Sequence, residues 1–511
     1  MFQRLTTADS VETARKQIAA LFANHAEWFY STEDGTTQAL RRSEVGVDVL
    51  QGRLILSCWT EAGTRSWRIR GWKRQGEKLL FAASRRMGAD QPLVELVPRA
   101  SAATIAATVR AGRQTRCEQL ARLASSHLIG AKIERVALSR GARHGQPGRY
   151  ARIILRLKHQ RIAVTGIVAS HGAHEVDAFL SAALLWFART SERSRPPYIQ
   201  QLWLIVEREM TMPAAQRVAL LRESLKEAIR VSEIDEAWTQ LEPVPCPERC
   251  ELWKKRLRPL KTAVRIELSV ASTTILSQAP EAIDVVQAGH GETLRYFGLP
   301  FARVRRLLET ERVWFGIDGA RRRMREESSE REWKELLDEL RNRRAADASD
   351  RHHALYRMAS EAWLESLLRR DICKLDPGLV VAPLYAQFRT SRGVRLTVRP
   401  VDLLAIRRDG RLVVIELKVF EDREHVLQGV DYWYRVEQHR RRGHIARAKL
   451  FGARRIMDQA PLIYLVAPTL RIHPSFRTLA RMIAPDIEIY RFDINEDWRA
   501  GVRVMRRTRV N

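Results

Sequence analysis

The stretch RPVDLLAIRRDGRLVVIELKV, residues 399–419, determines how the C-terminal part of the chain is interpreted. Two apolar runs flank a short Arg-Asp-Gly turn, yet the runs carry three charged residues, Asp402, Glu416 and Lys418. Charged side chains are rarely buried unless they are paired, bind a metal or take part in chemistry. The hairpin is therefore expected to carry charges with a function.

Counting along the hairpin predicts where these charges lie. Gly410 can take the left-handed conformation that closes a three-residue loop. In that register Asp402 faces Glu416 across the two strands, and Lys418 lies on the same face two residues further on. A two-residue Asp-Gly loop would instead turn the two carboxylates to opposite faces of the sheet.

Two facing carboxylates repel each other unless a positive charge lies between them. A hard divalent cation such as Mg²⁺ accepts oxygen ligands in this arrangement, and a neighbouring lysine can stabilise charge on a phosphoryl oxygen or orient a water. The alternative is an exposed face of salt bridges. The apolar neighbours favour a buried pair of strands; they are Leu403, Leu404, Ile406, Val413, Val414 and Ile415.

Asp402, followed after thirteen residues by Glu416-Leu417-Lys418 and flanked by helices, resembles the PD-(D/E)XK nuclease superfamily. The resemblance covers about the last 160 residues. It implies that Asp402, Glu416 and the carbonyl of Leu417 bind Mg²⁺, with Mn²⁺ as a substitute, and that Lys418 serves the water and the transition state. The sequence "PVD" departs by one residue from a strict Pro-Asp.

The resemblance also implies that a glutamate of the preceding helix completes the metal site. Glu361 and Glu365 lie four residues apart on one helix face, and we favour Glu365. "QGVDY" is similar to the Q-x-x-x-Y motif of RecB-like nucleases, which implies that Gln428 lies near the catalytic centre and that Tyr432 supports it. Gly429 departs from the usual aliphatic residue there, and Tyr432 could equally be core packing.

Composition restricts the class of protein. The 511 residues carry a formal charge of +28 and a pI near 10.7, so we expect a polyanionic partner, with nucleic acid first. A generally basic proteome is the alternative.

Five cysteines make no disulfide framework and fit a reducing cytoplasm. The longest apolar run is too short to span a bilayer. We interpret "CPERC" (246–250) as structural and "HGAHE" (171–175) as a surface turn.

The predicted fold class is mixed α/β and multidomain. A β-rich module is expected over residues 1–112, and an α/β domain over 113–210. A helical linker with a β-rich and helical module follows over 211–345. A restriction-endonuclease-like α-β-β-α-β core is expected over 346–511. Within the third module, residues 262–271 are predicted as a strand, and residues 211–262 as helical and then a linker.

The α-β-β-α-β order occurs twice. Shifted by 250 residues, "DLLAIRRDGRLVVIELK" overlays "RIILRLKHQRIAVTGIV" without a gap. Asp402, Glu416 and Lys418 then fall on Arg152, Gly166 and Val168. Residues 113–210 are accordingly a candidate degenerate nuclease-like domain, although period-2 patterns can match by chance.

The sequence leads to two hypotheses. The first is a Mg²⁺-dependent nuclease that hydrolyses DNA, or RNA as the alternative polynucleotide. The second is a non-catalytic nucleic-acid-binding or scaffold protein that uses a nuclease-like fold. Strandedness, sequence specificity, endonuclease or exonuclease action, biological process and oligomeric state are not determined by the sequence.

Overall fold

The computed structural model describes all residues except 1, 6, 33–36, 51, 61–62, 85–92, 141–146, 170–175, 255, 261–266, 289–290, 308–309, 318–322 and 382–401. The described residues form a mixed α/β, multidomain protein with four β-sheets. By internal contacts the chain divides into two compact units, Met1–Arg110 with Glu267–Ala362 and Ala111–Ile266 with Trp363–Asn511. No helix in the described ranges is long and apolar enough to cross a membrane.

The first unit begins with an antiparallel sheet. Its elements are β1 Gln3–Arg4, α1 Ala8–Ala23, β2 Glu27–Thr32, β3 Thr37–Arg41, β4 Val45–Leu50, β5 Arg53–Thr60, β6 Gly63–Gln75, β7 Lys78–Ser84 and β8 Leu93–Pro98. The strand order is β3-β2-β8-β7-β6-β5-β4, with β1 beside β6. In α1, Val11, Ala14, Ile18 and Phe22 recur every three or four residues, and this face is buried on the sheet.

The second sheet of this unit is also antiparallel and has the order β15-β16-β17-β18-β19. Its region comprises α6 Val270–Leu276, β15 Ile283–Ala288, β16 Gly291–Tyr296, β17 Leu299–Leu307, β18 Thr310–Phe315, β19 Arg323–Met324, α7 Glu330–Arg343 and α8 Ala354–Arg357. Helix α7 buries Trp333, Leu337 and Leu340 on one face, as its periodicity predicts. The strand predicted over 262–271 is wrong at its end, because the Ser269 hydroxyl caps α6 by accepting from Ser272 N.

The second unit contains two six-stranded sheets. The upstream sheet is formed by β9 Lys132–Arg140, β10 Pro147–Arg156, β11 Arg161–Ile167, β12 Ile199–Glu207, β13 Ile229–Ile234 and β14 Leu241–Val244. The downstream sheet is formed by β20 Leu379–Val381, β21 Leu403–Arg407, β22 Leu412–Leu417, β23 Leu462–Pro468, β24 Ile489–Ile494 and β25 Val504–Arg509. The helices are α2 Arg99–His127, α3 Val176–Arg193, α4 Arg208–Val218, α5 Glu223–Ala228, α9 Ser360–Arg370, α10 His425–Arg441, α11 His444–Arg447 and α12 Phe476–Met482.

The two sheets of this unit have the same topology. Each runs in chain order from one edge to the other. In each, the first three strands pair antiparallel, the next two strands add in parallel, and the last strand is antiparallel. A long helix, α3 or α10, follows the third strand of each sheet. The repeated order predicted from the sequence is thus present as repeated topology.

The gapless overlay is wrong by one residue within the second strand of each hairpin. In the upstream sheet Arg152 pairs with Thr165, so Thr165, not Gly166, occupies the place that Glu416 has downstream. The cause is turn length, because Leu157 and Gln160 close a two-residue turn in the upstream hairpin. The downstream hairpin has a three-residue turn. By the same count Ile167, not Val168, corresponds to Lys418.

Strands β13 and β14 lie where a helical segment and a linker were predicted, and β9, β20 and β25 were also missed. β9, β14, β20 and β25 are the edge strands of the two sheets, and β13 lies next to an edge. Edge strands carry exposed polar and charged residues, as β25 does. The alternation of apolar and polar residues that indicates a strand is therefore weak in them.

Helices α3, α4, α10 and α12 share one hydrophobic core between the two sheets of the second unit. Phe179 of α3, Val218 of α4, Trp433 of α10 and Leu479 of α12 are all buried in it. A buried ion cluster connects three of these helices, α3, α4 and α10. The remaining side of α10 packs on the downstream hairpin through Tyr432 and Val436.

Arg217 of α4 is the centre of this ion cluster. Its Nε donates to Asp177 Oδ1 at 3.0 Å, and its Nη2 lies 2.6 Å from Asp431 Oδ1. Asp431 also accepts from Arg435, one turn along α10. The upstream sheet's helices thereby fix the helix that carries Gln428 and Tyr432.

Candidate active site

The register of the downstream hairpin is the one predicted by the three-residue loop. Leu403 pairs with Ile415 and Ile406 with Leu412. Gly410 has φ of 89°, and a Cβ there would lie 2.6 Å from the carbonyl oxygen of Arg455. Both facts require glycine at the turn. Continuing the same register brings Asp402 opposite Glu416, where the sequence predicts it.

Asp402 and Glu416 interact at the end of the hairpin. Asp402 Oδ2 accepts a hydrogen bond from the Leu417 amide at 2.8 Å, which fixes the carboxylate beside β22. Glu416 is 1% exposed. Burial raises the pKa of Glu416 well above its usual range, and the negative charge of Asp402 raises it further, against the opposing effect of Lys418. A positive charge at this pair would relieve that cost.

Lys418 lies between two carboxylates. Its Nζ donates to Glu416 Oε1 at 2.7 Å and lies 3.8 Å from Asp422 Oδ2. The ammonium group is nearly buried, so these charges act through little water. Asp422 was not predicted as a site residue, although its place four residues after Lys418 is visible in the sequence.

Two of the predicted site residues each have a buried oxygen that accepts no hydrogen bond from the described residues. They are Glu416 Oε2 and Gln428 Oε1. Gln428 Nε2 donates to Glu424 Oε2 at 3.2 Å, so the amide is held on α10. Buried acceptors without a donor are uncommon in folded proteins. Carboxylate and amide oxygens left in this state fit a hard divalent cation with its waters.

The described residues bring no third acidic ligand to Asp402 and Glu416. Among the described residues no group of three or more His, Cys, Asp or Glu side chains is close enough to hold a metal. Glu365 lies on α9, where Arg369 donates to it at 3.4 Å, and Glu361 is exposed on the same helix. Their predicted contribution to metal binding, like that of the Leu417 carbonyl, stays a prediction.

Two residues of α10 surround the carboxylate pair. His425 Nε2 lies 3.2 Å from the backbone oxygen of Glu416, and burial, followed by the charge of Lys418, lowers its pKa to about 3. The ring is therefore neutral at neutral pH. Burial raises the pKa of the Tyr432 phenol, and the charges of Glu416 and Asp402 raise it further. His425 was not predicted as a site residue, because no charge pattern in the sequence distinguishes it.

The basic stretch at residues 437–449 is largely engaged within the unit. Arg440 and Arg441 both donate to the buried Glu437. Arg442 donates to the carbonyl oxygens of Gln438 and Trp253. These contacts indicate that this stretch stabilises the end of the helix.

The chain was compared with protein families, curated proteins and solved structures. No family model matches the sequence, and neither a curated protein nor a solved structure matches the chain. The resemblance to PD-(D/E)XK nucleases therefore rests on the residues and their geometry alone.

Proposed function

We propose that the downstream sheet and its helices form a metal-dependent nuclease that hydrolyses phosphodiester bonds of DNA. One observation carries the proposal. Asp402 and Glu416 meet at the end of a buried hairpin with Lys418 beside them, and an oxygen of Glu416 and one of Gln428 accept no hydrogen bond from described residues. Perturbed charges with specific partners are more common at functional sites than elsewhere.

Asp402, Glu416 and Gln428 would hold Mg²⁺, or Mn²⁺ in its place. When bound, the ion supplies Lewis acidity and a more acidic water. Asp402 is oriented for this by the Leu417 amide. Lys418, whose Nζ lies beside Glu416, would donate to a phosphoryl oxygen as negative charge grows there. Neutral His425 and buried Tyr432 exclude water from the inner side of the pair.

The test is cleavage of single- and double-stranded DNA by the purified chain with Mg²⁺ or Mn²⁺. We expect Asp402→Asn and Lys418→Ala each to lower the rate at least about 100-fold. Asp409→Asn is the matched control, because Asp409 lies in the turn of the same hairpin and accepts from the Arg411 amide, which Asn also allows. A wild-type chain without cleavage of DNA or RNA would contradict the proposal.

A non-catalytic binding protein is the second candidate, favoured by the absence of a third acidic ligand among the described residues. In that case Glu416 and Lys418 would be a buried structural ion pair. Thermal melting separates the two candidates. A metal site predicts that Mg²⁺ or Mn²⁺ raises the melting temperature of the wild type but not of Glu416→Gln, whereas a structural pair predicts no metal effect on either.

A further inference from the structure

We propose that the second unit, with two copies of one topology, has a single catalytic centre and therefore cuts one strand of duplex DNA per engagement. The inference rests on the proposed function and adds to it the form of the product, a nicked duplex. It follows from comparing the equivalent hairpins of the upstream and downstream sheets in their observed registers.

The upstream hairpin has the frame of the site but different chemistry. Arg152 stands in the place of Asp402, and Thr165 pairs with it as Glu416 does with Asp402. Ile167, in the place of Lys418, is buried in the core with α3. On the side of the described upstream hairpin that faces α3, the positions equivalent to Asp402, Glu416 and Lys418 thus carry no carboxylate.

Arg152, Thr165 and an acidic residue at the start of α3 are each engaged in a way that opposes metal chemistry. The guanidinium of Arg152 lies 5.9 Å from the centre of the Trp186 ring on α3, and its charge repels a divalent cation. The Thr165 hydroxyl donates to the carbonyl oxygen of Ala151 at 2.7 Å. Asp177, the acidic residue in the first turn of the following helix, is paired with Arg217.

One centre hydrolyses one phosphodiester at a time. The oxygen of water forms a bond to phosphorus, one ester P–O bond breaks, and the leaving oxygen takes up a proton. The complementary strand presents its phosphate at a separate place and with opposite polarity. Cutting it at once requires a second centre, and the sheet that could supply that centre carries Arg152, Thr165 and Ile167 instead.

The experiment is a time course on negatively supercoiled plasmid with the full chain and Mg²⁺ or Mn²⁺. We expect open circles to accumulate until the supercoiled form is consumed, with linear plasmid appearing only after a lag. Linear plasmid formed from the start, together with open circles, would overturn the inference and leave the proposed function standing. A plasmid that is not cut at all would overturn the inference, and it would overturn the proposed function as well if linear DNA, single-stranded DNA and RNA are not cut either.

Equivalent substitutions in the two sheets provide the control. Glu416→Gln is expected to lower the nicking rate at least about 100-fold, and Thr165→Val, at the corresponding upstream position, to leave it little changed. Loss of nicking in a folded Thr165→Val chain would contradict a single centre. If Thr165→Val does not fold, Arg152→Gln decides, because its side chain is only partly buried; it should nick like the wild type, and loss of nicking would overturn the inference.

Discussion

Single residues set the pH range in which the second unit is stable. His439 is buried, with its Nδ1 3.0 Å from His444 Nδ1, and burial followed by the charge of His444 lowers its pKa to about 4. An unfolded histidine has a pKa of about 6.5. The unfolded chain therefore binds more protons between these values, and stability must fall as pH drops from 7 towards 4.

His439→Gln tests this. Between pH 7 and pH 5 we expect the free energy of unfolding of the variant to fall by up to about 2 kcal/mol less than that of the wild type. The variant lacks the buried imidazole that takes up a proton when the chain unfolds. Some loss remains, because His425 is buried with a lowered pKa as well. Denaturant unfolding at several pH values measures it. His352→Gln, at an exposed position, is the control; equal pH slopes for wild type and His439→Gln would contradict the explanation.

The hairpin turn gives a second prediction at this scale. Gly410→Ala combines a positive φ with a clash against the Arg455 carbonyl oxygen, whereas Gly452→Ala has a positive φ of 64° and open space around its Cβ. We expect Gly452→Ala to cost about 1 kcal/mol and Gly410→Ala clearly more. Chemical denaturation of both variants measures the difference. Equal costs would mean that the turn relaxes away from Arg455.

At the scale of elements, the sequence predicted what depends on local counting. The register of Asp402 and Glu416 followed from the length of one turn and from Gly410. The same counting failed upstream, where both strands are buried on both faces and continuous apolar runs show no period that would reveal a missing turn residue. Gly166 was therefore assigned in place of Thr165. Contacts such as Arg217 with Asp431 depend on the tertiary fold and leave no local pattern.

Helix α10 depends on its neighbour α4 through the buried ion cluster. Arg217→Met removes the charge shared by Asp177 and Asp431, and we expect it to destabilise the chain by about 3 kcal/mol, because the partly buried Asp177 and the buried Asp431 both lose this cationic partner. Arg217→Met combined with Asp177→Asn and Asp431→Asn should recover part of this loss. Thermal and denaturant unfolding measure both. A single variant as stable as the wild type would show that the cluster contributes little.

At the scale of the whole molecule, the charge of +28 predicts salt-sensitive binding to a polyanion such as DNA. Lysine and arginine contacts with phosphates release counterions, so affinity should fall steeply as salt rises. We expect the cleavage-deficient Asp402→Asn chain to lose about 1,000-fold or more in affinity for a DNA duplex between 50 and 200 mM salt, which corresponds to roughly six or more phosphate contacts. Fluorescence anisotropy measures it. A peptide nucleic acid of the same sequence lacks phosphates and should not bind. If it binds as well as DNA, or if the affinity for DNA is independent of salt, the basic surface does not serve polyanion binding.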